Sequence, residues 1–118
     1  YLANNLEAAG IAPDTIDTVI ITHAHPDHIG GILDGSGNPV FVNASYYIPE
    51  PEWAFWMAPT VEMPNALSDA DTQASTVAVA KEWLGAIASR TTRFALGDEV
   101  IPGVVSVASV GHTPGQSS

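Results

Sequence analysis

Three histidines and an aspartate stand within six positions, His23, His25, Asp27 and His28, directly after the apolar run Val19-Ile20-Ile21. Neutral imidazole is the commonest nitrogen ligand for metal ions, and a carboxylate adds a hard anionic oxygen. Four such groups in one short loop would desolvate one another and, once protonated, repel. A bound cation removes both costs. The chemistry this points to is metal-assisted hydrolysis, in which an ion with an open position lowers the pKa of its water and polarises a substrate oxygen. No cysteine nucleophile competes, because the chain has no cysteine, and no histidine is free to serve a serine.

The elements around these residues are what must aim them. The β-branched run reads as a short buried strand, and the polar residues as a loop hung from its C-terminal end. Pro26 stiffens that loop. Gly30 and Gly31 let the chain turn close to the site before a helix whose first turn takes in Ile32 and Leu33. A second place repeats the logic: a valine-rich strand over 104–110 ends, and Gly111 and His112 follow.

The loop from His23 to His28 resembles the signature loop of the metallo-β-lactamase fold hydrolases. The resemblance implies that His23 and His25 hold a first metal and that Asp27 and His28 reach a second. In that family Gly-His-Thr-Pro-Gly carries the third histidine of the first metal, and Gly111 to Gly115 match it, with His112 as the ligand. Gln116 stands where relatives often have another histidine, a position that is not usually a ligand. Three nitrogens with one open position is the arrangement of a catalytic rather than a structural zinc. Complete relatives add a later bridging aspartate and a last histidine, and the sequence ends at Ser118 before either. Asp98 sits in a turn signal without the right flanks to replace them. Zn²⁺ is the default ion, one or two per site, and manganese, iron or cobalt would suit the same ligands. Asp27 is the implied catalytic residue, orienting the nucleophile and shuttling its proton. The implied fold is α/β: part of an αβ/βα sandwich, two mixed sheets with outer helices.

Over nearly the whole chain the look is that of the branch containing methyl parathion hydrolase and lactonase-like enzymes. That implies an ester, lactone or organophosphate triester, hydrolysed by a metal-bound hydroxide in an apolar pocket. Phe55 and Trp56 are candidates to line it, with ordinary core packing as the alternative. Trp53 and Trp83 are assigned to packing, and Lys81 to lying along an apolar helix face with its head in water.

Along the rest of the chain, residues 1–10 predict a short amphipathic helix closed by Gly10. Residues 13–17 predict a turn, and 34–39 a loop by composition. Val40-Phe41-Val42 and Tyr46-Tyr47-Ile48 predict two short strands. Pro49 to Pro59 predict a short helix with Glu50 and Glu52 in its first turn, where acids suit the helix dipole. Residues 60–67 predict a loop, and Ser68 with Asp71 has the outline of a capping box. A long helix follows, with Ala70, Ala74, Val77, Leu84, Ile87 and Ala88 on one face. A strand over 93–96 and a turn at Gly97-Asp98 complete the plan. One domain, residues 1–118, is the economical division, and with no initiator Met it is expected to be a fragment of a longer sandwich.

Thirteen acids against three bases give a net charge of −10 in 118 residues. Nucleic acid and anionic membrane surfaces are therefore poor partners, and a small-molecule substrate is expected. No run is long and apolar enough to span a bilayer, and the compartment is left open. A truncated sandwich would expose sheet edges and an apolar face, so a homodimer or an aggregation-prone chain is expected. Two further functions stay in play. One is thioester hydrolysis of the glyoxalase II kind, which wants basic residues and finds only Lys81, Arg90 and Arg93. The other is a catalytically incomplete metal-binding or assembly domain.

Overall fold

The computed structural model describes residues 2–63 and 69–118. Its centre is a parallel sheet of β1 (Thr18–Ile20), β2 (Ser45–Pro49) and β3 (Thr91–Phe94), in the spatial order β1-β2-β3. Parallel neighbours need a crossover between them. Here the crossovers carry α2 (Pro26–Ile29) between β1 and β2, then α3 (Glu50–Met57) and α4 (Ala70–Ile87) between β2 and β3. The register sets Val19 against Tyr46 and Ile48 against Arg93. With a neighbour on each side, β2 is the most buried strand, and Tyr46 and Ile48 are both fully inaccessible. α3 packs on β2 and β3, and α4 packs across α2 and α3.

α1 (Leu2–Ala8) precedes the sheet, and Gly10 closes it at φ 75°. After β3 an antiparallel hairpin, β4 (Glu99–Ile101) and β5 (Val104–Val105), forms the second sheet. Its turn is Pro102-Gly103 with Gly103 at φ 87°, the positive φ that a tight turn asks of the residue after proline. The chain is therefore a mixed α/β fold with two sheets and packed helices, as expected. The core runs through Ile29, Tyr46, Ile48, Trp56, Leu84 and Ile87. Among the described residues no helix is long and apolar enough to cross a membrane.

Several elements differ from their sequence reading. The helix after the histidine loop begins at Pro26 and ends at Ile29, so it precedes the Gly-Gly pair. Proline is pre-set for the first helical position, and Ile32 and Leu33 instead follow the helix. Val40-Phe41-Val42 is not a strand. It is a bend that drives Phe41 into the core while Val42 stays exposed, and Val40 N–H bonds back to Ile32 O at 2.9 Å. The strand placed at 93–96 is β3, two residues earlier. The strand placed at 104–110 stops at Val105: Ser106 N–H makes the last bond to the β4 side, to Asp98 O at 2.9 Å, and from Val107 the chain changes partner and pairs with 116–118 instead.

On α4 the inward residues are Ala80, Leu84 and Ile87 with Val77 beside them, whereas Ala70, Ala74 and Ala88 face water. A methyl side chain carries too little hydrophobicity to settle a face. The N-cap is Asp69, whose carboxylate accepts from Thr72 N–H at 2.8 Å. Ser68 of the expected capping box lies outside the described residues, as does the end of the 60–67 loop. Lys81 lies half-buried and donates to Ala58 O at the end of α3. Trp83 packs over Gly30, where an added Cβ would stand 3.3 Å from the indole.

Candidate metal centre

The histidine loop leaves the sheet where β1 loses its pairing. Ile21 N–H still reaches Tyr47 O at 2.8 Å; the chain then bends at Thr22 and is extended again at His25, just ahead of α2. Residues two apart in extended backbone point to one side. His23 and His25 share that side, and Ala24 points oppositely into the core, fully buried. Pro26 turns the backbone into α2, which Ile29 pins by burial. The second contribution arrives from the far end of the chain. Residues 107–109 pair back on 116–118 through Val107 N–H to Ser118 O (2.8 Å) and Ser109 N–H to Gln116 O (3.1 Å), and His112 stands at the tip of that return. Ser117 N–H bonds to Thr22 O at 3.1 Å and docks this hairpin on the histidine loop.

His23, His25 and His112 converge. One nitrogen of each lies within 4.8 Å of the others, and among the described residues this is the group that could hold a metal ion. His25 Nδ1 and His112 Nε2 are 3.0 Å apart, with the ring centroids at 4.5 Å. His23 is buried, its Nδ1 stands 3.0 Å from the Thr22 hydroxyl, and its Nε2 is buried with no partner. A buried nitrogen without a hydrogen bond is costly in an ordinary core. Facing two further imidazoles, it has the position and chemistry of a waiting ligand, and the donor set suits a cation of the zinc type.

Burial holds His23 below the ordinary imidazole value, and the rings of His28, His25 and His112 push the same way, against Glu52. His25 is lowered by burial first and by His112 next, with Asp27 and Glu52 opposing. Lowered values favour the neutral form, which is the form that ligates.

Asp27 and His28 are not members of the converging trio. They occupy the first turn of α2, paired at 3.5 Å, with side chains 81% and 49% exposed. His28 does lie against His23, with ring centroids 4.0 Å apart. Beyond them, a cavity of about 220 Å³ opens along β1, lined by Val19, Ile21, His23, His28 and Phe41 among others.

Of the aromatic candidates, Trp56 is fully buried and meets the His25 ring edge-on at 5.4 Å from beneath. Phe55 is half-buried and edge-on to Trp56 at 5.1 Å. Trp53 lies under the Arg93 guanidinium, 5.8 Å from its carbon.

One further residue belongs to the site, although in sequence it is simply an acid in the first turn of a helix. Glu52 is fully buried; its Oε1 accepts from Ala24 N–H at 2.8 Å and Trp56 Nε1–H at 2.6 Å, and its Oε2 from Thr113 Oγ1–H at 2.6 Å. The signal available was an acid four residues before a tryptophan, on a helix that is apolar from Trp53 onward.

The family model described as the metallo-beta-lactamase superfamily matches residues 1–118. The chain belongs to this superfamily. Among solved members, a dizinc quorum-quenching lactonase, AidC, is 28% identical with a TM-score of 0.88, over 98% of this chain and 40% of that one. The hydrolase AbOPH is 34% identical with a TM-score of 0.77, over 97% of this chain and 39% of that one. A Methanocaldococcus jannaschii protein described as a probable metallo-hydrolase is 37% identical over 54 residues, 46% of this chain and 24% of that protein. The chain thus spans about 40% of the length of these two solved relatives.

Proposed function

We propose that this chain provides the first-metal half of a hydrolase centre acting on an ester, a lactone or an organophosphate triester. The observation that carries the proposal is the buried, partnerless Nε2 of His23, on a ring that lies against those of His25 and His112 and offers a nitrogen within 4.8 Å of theirs. A divalent cation bound there supplies Lewis acidity and activates water. His23, His25 and His112 hold it, with His23 fixed by burial and by Thr22. Asp27, exposed at the start of α2, orients the attacking water and accepts its proton. With His28 it offers the beginning of a second metal position. Phe55 lines the substrate pocket, and Trp56 supports His25 from below.

The lactonase named among the solved relatives makes a lactone the first substrate to try. Thioester hydrolysis of the glyoxalase II kind is less well supported. Lys81 is engaged with Ala58 O, Arg90 with Val42 O and Arg93 with Glu50, leaving none of the three bases facing the trio. A catalytically incomplete metal-binding domain is favoured by one observation, the exposed Asp27–His28 pair with no third ligand converging on it among the described residues. The partner we propose is a small molecule rather than nucleic acid or membrane, given a net charge of −10. Val105, Val107 and Val110 are exposed apolar side chains close together in sequence, and we propose self-association through this segment. A clean monomer by light scattering at high concentration contradicts that.

Metal stoichiometry by mass spectrometry after gentle desalting tests the centre, followed by lactone, aryl ester and phosphotriester assays. About one zinc per chain, lost in His112→Ala, is the expected result. A chain that takes up no added zinc sinks the proposal. Turnover of an ester or lactone that survives in His112→Ala would move the chemistry elsewhere.

A further inference from the structure

We infer that Glu52 is a positioning residue that holds the two metal-binding loops in register through one buried carboxylate, and that it sets the affinity of the centre. The inference rests on the trio being a metal site. Its grounds are geometric. Ala24, whose N–H donates to Oε1, lies between His23 and His25, while Thr113, whose hydroxyl donates to Oε2, follows His112. These partners sit 28 and 61 positions away in sequence. One side chain on α3 therefore clamps the N-terminal and C-terminal halves of the trio, and Trp56 Nε1–H holds the clamp itself in place.

A second observation points the same way. A Cβ built on Gly115 would stand 2.1 Å from Glu52 N and 2.5 Å from Pro51 C. The His112 loop thus rests directly on the first turn of α3, so closely that only glycine fits. α3 is a seat for that loop, and Glu52 is the bolt through it.

The choice of a carboxylate also needs a reason. Burying an ion costs several kcal/mol before compensation, and a glutamine could make a similar set of contacts. Ionised glutamate accepts all three hydrogen bonds without requiring any donor to reverse, and charge-assisted bonds are about twice as strong as neutral ones. A fixed negative charge behind the trio also favours a cation in front of it. Outer partners of metal ligands typically alter affinity by about 10–100-fold.

The test is titration of the chain with Co²⁺, read by its visible absorption, and of zinc against a chromogenic chelator. The wild type and three variants, Glu52→Gln, Thr113→Val and Thr113→Ser, are compared, with folding of each checked by far-UV circular dichroism. The expected result for Glu52→Gln is native ellipticity with zinc affinity lowered about 10–100-fold and altered cobalt bands. Thr113→Val loses about tenfold, and Thr113→Ser, which keeps the hydroxyl, restores most of it. A folded Glu52→Gln with wild-type affinity and spectrum overturns the inference. If Glu52→Gln does not fold, the threonine pair decides: equal affinities for Val and Ser overturn it, and rescue by Ser alone supports it. Failure of the wild-type chain to bind either ion is a different outcome and removes the metal site itself.

Discussion

The trio and the Asp27–His28 pair come from the same short loop yet are built in opposite ways. His23 and His25 leave the end of a paired strand, point to a common side, and meet a third imidazole brought from the far end of the chain. Behind them a buried carboxylate fastens both approaches. Asp27 and His28 sit on the four-residue helix that follows, both exposed and paired with each other, with the His28 ring lying against that of His23. Ligands whose geometry the fold has already fixed need little ordering when an ion arrives, while exposed ones must give up rotamer freedom. Proximity in sequence to a metal motif is thus no measure of preorganisation. What counts is the number of independent segments that hold the side chain.

The sharpest way to break this contrast is His112→Ala. It should lower zinc affinity by more than the ~100-fold that marks loss of an outer partner, measured by chelator competition; retention within tenfold would mean that the trio is not the primary site. Next in size is Gly115→Ala. The added methyl has to displace the backbone of α3, and overpacking of this kind costs about 1–3 kcal/mol. Urea unfolding should show that loss and a weaker zinc site together, whereas wild-type stability would mean the loop is not seated on α3.

A smaller effect is expected from pH. Burial and neighbouring imidazoles lower the values of His23 and His25 from the ordinary 6.5. In the metal-free chain the unfolded state then binds more protons below about 6.5, so stability falls as pH drops through that value and on through the folded-state values. Thermal melts between pH 7.5 and pH 5 check this; a melting temperature that rises on acidification contradicts it. Smallest of all should be Asp27→Asn. Exposed charge pairs contribute only ~0.2–1 kcal/mol, so cobalt affinity of the trio should stay within about fivefold, even if hydrolysis is lost.

The sequence made the histidine loop legible because its signal is dense and local: four donors in six positions after an apolar run need no tertiary information. His112 could be placed only through the motif around it, since no local pattern says that position 112 meets position 25. Glu52 went unread for a physical reason. An acid in a first turn has an ordinary explanation in the helix dipole, and burial is decided by what α3 packs against. The same limit explains Val40 to Val42. Three apolar residues of high β-propensity fit a strand, but tertiary context uses the central one as a plug for the core. Helix α2 lies ahead of the Gly-Gly pair because Pro26, pre-set for the first helical position, is a stronger start than two glycines. On α4, alanines left the face ambiguous until Leu84 and Ile87 found their partners.

The contact between His25 and His112 spans 87 positions. An ion gripped by both would behave as a crosslink, closing about three quarters of the 118-residue chain into a ring. In the chain-entropy model, a covalent tie over a loop of about that length removes on the order of 4–5 kcal/mol of disorder from the unfolded ensemble. A coordinate bond is reversible, so the tie is available only while metal is present, and its strength in the folded state is at once a binding energy and a folding energy. The availability of metal would then govern how long the molecule survives proteolysis as well as whether it can act.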